Sequence, residues 1–98
     1  MGRLRGTYTG QVRQRIVNAR NYPGIARRRG MEGQPVVAFT LNKQGQLTQL
    51  RLDRTSGYKL LDQAALDAVQ KGAPYPEIPP QLKMRFFQFK LPVSFILK

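Results

Sequence analysis

The sequence predicts a single α+β domain: a small antiparallel sheet of about three strands with two helices packed on one face, in helix–hairpin–helix–strand order. Three observations predict it. Residues 36–54 hold two apolar-alternating runs around the turn "NKQG". Residues 58–72 repeat their apolar residues at helical spacing. The chain closes on "FKLPVSFILK", which alternates again.

Each element follows in turn. In "TYTGQVRQRIVNARN" (7–21), Tyr8, Val12, Ile16 and Ala19 form one helical stripe with arginines on the other faces, so the helix is expected there, frayed near Gly10. Residues 1–10 are accordingly read as a flexible segment and 11–98 as the folded domain. In "YPGIARRRG", Pro23 suits a first helical position and Gly30 a C-terminal cap, which predicts a short helical turn. "VVAFTL" (36–41) and "QLTQLRLDR" (46–54) make the hairpin, with Leu50 and Leu52 on one face. "YKLLDQAALDAVQKG" is helical, its stripe made of Leu61, Ala65, Ala68 and Val69, with Asp62 near its start. "PYPEIPP" gives an extended, stiff connector. In the last strand Leu91, Val93, Phe95 and Leu97 share one face, and Pro92, Ser94, Ile96 and Lys98 the other.

Composition excludes several function classes. Cysteine and histidine are absent, which removes the thiolate and the usual neutral-pH general base. The two serines, Ser56 and Ser94, lie outside any nucleophile-elbow pattern, and Asp62 and Asp67 are poorly spaced to act together. No enzyme, metal site or cofactor is expected. No run approaches the roughly 18 apolar residues of a membrane span, and "MGRLRG" is not followed by a signal-peptide apolar core. Charge is the dominant feature: 17 Lys and Arg against 5 acids, net +12. Eight arginines and no acid lie within residues 1–30. Such a field attracts nucleic acid, anionic lipid or acidic protein surfaces. Arg27–Arg29 could hold phosphates and Tyr8, Tyr22 and Tyr58 could stack bases, but no aromatic–basic recognition motif accompanies them.

Proline inside a strand favours a sheet edge, because it removes a ladder donor. Pro92 therefore marks the closing strand as an edge. Such an edge is either blunted by Pro92 and Lys90 or held open for a partner's strand.

The ordered series "YPGIARRRGMEG", "VAFTLNKQGQL", "TSGYKLLDQAALDAV", "APYPEIPP" and "LPVSFIL" resembles the C-terminal domain of the TonB family of energy transducers over roughly residues 11–98. Two positions depart from the family pattern: Pro35 stands where a strand valine is usual, and Thr55 replaces a serine before Ser56-Gly57. The resemblance implies a periplasmic domain tied to the inner membrane by an N-terminal anchor and a proline-rich spacer outside this chain. It implies energy from the ExbB–ExbD complex, and partners in outer-membrane transporters whose TonB box pairs with the last strand. Siderophores, cobalamin or similar nutrients would be the cargo. Carried onto this sequence, the partner-binding residues would be Arg20, Asn21, Tyr22, Lys90, Leu91, Pro92, Val93, Ser94, Phe95, Ile96 and Leu97. Tyr22 is also placed to pack locally. A TolA-like coupler and a basic nucleic-acid binder are the competing readings, and the same free edge could pair with its twin in a homodimer.

Overall fold

The computed structural model describes residues 2–97; Met1 and Lys98 lie outside the described residues. The elements in chain order are α1 (Gly2–Ala19), α2 (Gly24–Arg28), β1 (Val36–Asn42), β2 (Leu47–Arg54), α3 (Lys59–Gly72), a 3-10 turn (Pro80–Leu82) and β3 (Phe86–Pro92). Among the described residues the strands form one antiparallel sheet in the order β2-β1-β3. Alternation along β1 and β3 sends Val37, Phe39, Leu41, Phe87, Phe89 and Leu91 into one core with Val12 and Ile16 of α1 and Leu61, Ala65 and Val69 of α3. The α+β class and the sheet are as the sequence predicts.

The first helix is the main departure. Gly6 and Gly10 each weaken a helix by about 1 kcal/mol relative to alanine, which is why the sequence suggests a flexible stretch over residues 1–10. Yet α1 begins at Gly2, runs through both glycines and buries Tyr8. The Tyr8 ring lies 5.4 Å from Phe87 and 6.1 Å from Phe89, and its hydroxyl donates to the Pro76 carbonyl at 2.8 Å. Tertiary burial of one large aromatic offsets the propensity cost of two glycines. The structure places residues 2–10 within α1, continuous with the rest of the helix.

The proline-rich segment is more than a connector. Tyr75 and Ile78 are buried, and the segment is bonded to the hairpin turn: the Tyr75 amide donates to the Gly45 carbonyl and the Ile78 amide to the Lys43 carbonyl, both at 3.0 Å. Gly45 is required there, since its φ is +84° and an added Cβ would stand 2.0 Å from the Tyr75 carbonyl oxygen. The Tyr75 hydroxyl donates to the Val69 carbonyl at 2.6 Å, satisfying one of the last-turn acceptors that α3 cannot satisfy itself. At the other end of α3, Asp62 reaches back across the Thr55–Gly57 bend. Its carboxylate accepts from the Ser56 amide at 2.8 Å and hydroxyl at 2.7 Å, and from the Thr55 hydroxyl. Thr55 supplies the hydroxyl that a serine would supply in its place.

Burial of Tyr75 pushes its hydroxyl up from 10.0 to about 12. Its stabilising contribution is therefore full below about 10 and is lost as pH rises toward about 12. Tyr75→Phe should cost about 1 kcal/mol near neutrality, and denaturant melts of the two proteins should converge through that alkaline window. At Asp62, burial raises the carboxyl, but the bonds from Thr55 and Ser56 outweigh it and the net shift is downward. A lowered carboxyl stabilises above its unfolded value and loses that contribution as pH falls through the folded one. Asp62→Asn should cost about 2 kcal/mol at neutral pH, the gap to the parent protein closing in acid.

Candidate functional site: the outer flank of β3

The order β2-β1-β3 leaves β3 paired on one flank only. Which of its backbone groups are unpaired follows from the register. Gly33 and Phe95 exchange both hydrogen bonds, at 3.1 and 2.9 Å, and the Val93 amide donates to the Pro35 carbonyl at 2.9 Å. The register is unbroken from Gly33↔Phe95 to Asn42↔Phe86. In an antiparallel ladder the N–H and C=O of one residue point the same way, and neighbours alternate. Phe87, Phe89, Leu91, Val93 and Phe95 thus address the β1 side. Gln88, Lys90, Pro92 and Ser94 address the outside.

The second wall of this flank is α1. The Arg5 guanidinium lies 5.3 Å from the centre of the Phe87 ring, and that of Arg20 lies 5.8 Å from Phe95. The helix therefore runs alongside β3 in the same direction. Between them is a groove of about 250 Å³, to which α1 gives Arg13, Ile16, Val17 and Arg20 and the strand gives Leu91–Ser94. Ile16 is buried at its base, while Val17 is 46% exposed. The positions 13, 16–17 and 20 recur at three- and four-residue steps, which sets them on one helix side.

Among the described residues the ion pairs both involve Asp53, which meets Arg51 at 2.9 Å and Lys90 at 3.8 Å. The Arg51 hydrogen bond, supported by the Lys90 charge, holds that carboxyl below its ordinary value. Arg13 and Arg20 have no carboxylate partner among these residues, so the groove is electropositive. A larger hollow of about 610 Å³ lies on the uncovered sheet face, floored by Ala38 and Thr40. It is the concavity of a twisted sheet with small central residues. Its charged rim is already satisfied through Asp53.

The residues named from sequence fall in different places. Arg20 meets the strand directly, its guanidinium donating to the Ser94 carbonyl. Lys90, Pro92 and Ser94 present outward backbone, whereas Leu91, Val93 and Phe95 are buried with their backbone turned inward. Leu97 is tied by its amide to the Glu32 carboxylate at 2.6 Å, and Ile96 is 69% exposed. Asn21 lies away from the strand, in a shallow groove between the end of α1 and α3. Tyr22 packs locally: its ring meets Phe95 edge-on at 5.4 Å and its hydroxyl donates to the Met31 carbonyl. Sequence reasoning missed Gln88, Arg13 and Val17. The i, i+4, i+7 spacing of Arg13, Val17 and Arg20 could have found two of them, and counting back by twos from Pro92 reaches Gln88.

The regular strand also begins earlier and ends sooner than the sequence suggests, at Phe86–Pro92 rather than through Leu97. Past Pro92 the chain keeps the same register but is held by separate bonds to Gly33 and Pro35. Pro35, at the threshold of β1, is buried and uses the one group it has, its carbonyl, to accept from Val93.

No helix among the described residues is long and apolar enough to cross a membrane. Residues 18–97 match the family model described as the Gram-negative bacterial TonB protein C-terminal. The chain is 31% identical over 91 residues to Protein TonB of Helicobacter pylori, a match covering 90% of this chain and 30% of that protein. It is 32% identical over 88 residues to Protein TonB of Pasteurella multocida, covering 90% and 33%. It thus spans about a third of the length of these relatives. Its fold superposes on the solution structure of the Helicobacter pylori TonB C-terminal domain with a TM-score of 0.81 at 27% identity, covering 94% of this chain and 82% of that one. The C-terminal domain of HasB is similar at a TM-score of 0.59 and 26% identity, covering 93% and 70%. Fold, family model and relatives agree: the chain belongs to the TonB C-terminal domain family.

Proposed function

We propose that this chain is the transporter-gripping end of a TonB-type energy transducer. It works in the periplasm and is tethered through an anchor segment outside this chain to the inner membrane and the ExbB–ExbD complex. Its partner is the TonB box of an outer-membrane transporter, taken up as an added strand on the outer flank of β3. The cargo class is siderophores, cobalamin or comparable nutrients. The domain performs no chemistry; it holds and pulls. The single observation that carries this reading is the unpaired flank of β3 facing a groove whose other wall is α1.

The geometry narrows the docking rail. Instead of all of Lys90–Leu97, it favours Gln88–Ser94, where the outward groups are the donors of Gln88, Lys90 and Ser94 and the acceptors of Gln88, Lys90 and Pro92. About six such bonds at ~1 kcal/mol net each are largely offset by the cost of ordering an extended peptide. A modest, releasable hold suits a coupler that must let go, and backbone pairing tolerates varied side chains. The arginines of α1 speed the approach of acidic surfaces.

The test is an amide-shift titration with a peptide copied from the TonB box of a transporter, and with duplex DNA as comparison. Shifts should concentrate on Gln88–Ser94 and on Arg13–Arg20, and binding should weaken as salt rises. Perturbation centred on Arg27–Arg29 by DNA, with the β3 flank silent to the peptide, would favour the nucleic-acid reading. Gln88→Pro deletes an outward donor while sparing the β1 ladder. It should leave the fold intact and weaken the peptide about fivefold. Unchanged affinity would remove β3 as the rail.

A further inference from the structure

We propose that Arg20 selects what docks: its guanidinium occupies the Ser94 carbonyl in the free protein and yields that acceptor to a strand bringing a carboxylate to the same place. This rests on the strand-docking reading above. Beyond Lys90 the outer flank of β3 offers little. Pro92 has no N–H, so the next complete pair of backbone groups is that of Ser94. Its carbonyl is already taken by Arg20. The arrangement is braced on both sides. The Phe95 ring backs the guanidinium at 5.8 Å, and the Gln34 amide donates to the Ser94 hydroxyl at 2.7 Å, fixing the residue on the opposite face.

The energetic consequence depends on the incoming strand. A neutral strand must strip the guanidinium from Ser94 and leave it to water, exchanging one bond for another with no gain. A strand with a carboxylate beside Arg20 keeps the guanidinium bonded, now through a charge-assisted pair, while its own N–H takes the freed carbonyl. The position of that carboxylate is set by the pleat. Residues opposite Val93 and Phe95 share their face and point toward α1, whereas the residue opposite Ser94 points away. The acid therefore belongs at a helix-facing position next to the Ser94 pair. Val17, exposed between Arg13 and Arg20, is met by an apolar side chain at a neighbouring helix-facing position. Arg13, about 10 Å back along the helix, adds charge but does not reach Ser94. That makes it an internal control.

The experiment uses capped peptides of alternating threonine and valine in which one glutamate, or glutamine in its place, is stepped through the helix-facing positions. Affinities are read by calorimetry and by amide shifts on β3. The parent protein should prefer glutamate over glutamine about fivefold at one position. Arg20→Ala should abolish that preference and bind the glutamine peptide more tightly than the parent does, by about threefold. Arg13→Ala should keep the glutamate-over-glutamine preference at that position, whatever it does to the affinity of both peptides. In the free protein Arg20→Ala should also move the carbonyl-carbon shift of Ser94. Equal weakening of both peptides by Arg20→Ala would reduce Arg20 to an ordinary contact and overturn the proposal. So would a glutamine peptide indifferent to the substitution. If no peptide perturbs β3 in any variant, strand docking itself fails, and the selection role falls with it.

Discussion

The structure depends on β1 being paired on both flanks. β2 takes one side through the hairpin, and β3, which follows β2 only after a helix and a proline-rich segment, takes the other. With the central place filled, β3 has a single partner. A parity follows along its length: odd-numbered residues put both side chain and backbone polar groups into the fold, and even-numbered residues put both outside. One strand thus serves as core through Phe87, Phe89, Leu91, Val93 and Phe95, and as surface through Gln88, Lys90, Pro92 and Ser94. This explains how a strongly basic chain can end on an apolar alternating stretch.

The same parity explains where prolines are tolerated. Pro92 sits at an outward position, so its missing donor costs no bond to β1. Pro35 sits where β1 addresses β3, but only at its threshold, and it still accepts from Val93. Each thins the ladder near the end of the sheet. Past them the tail is secured by separate contacts to Gly33 and Glu32 and, from outside, by Arg20. The N-terminal part of the flank presents outward backbone groups at every second residue, and at its far end the Arg20 side chain bonds the Ser94 carbonyl.

Much of this was legible in the residues. Periodicities of two and of three to four located the hairpin, α3 and the core stripe of α1, because those patterns report burial directly. Pro92 signalled an edge before any strand order was known. The start of α1 was not legible: Gly6 and Gly10 speak against a helix, and the compensating contacts of Tyr8 come from Phe87, Phe89 and Pro76, nearly seventy or more residues away. The packing role of the proline-rich segment was hidden for the same reason, since Tyr75 and Ile78 are held by the hairpin turn and the end of α3. Of the site, Arg20 and the strand could be named from the motif. Asn21 could not be told from it, because a one-residue step beyond a helix end turns a side chain to another face. Gln88 and Arg13 required the register and the direction of α1.

Backbone amide exchange on the free, monomeric domain reads the two flanks of β3 separately. Protection should alternate along the strand, with Gln88, Lys90 and Ser94 exchanging fast and Phe87, Phe89, Leu91 and Val93 protected. Equal protection of both sets would mean that the outer flank is already covered and that β3 is not a free edge.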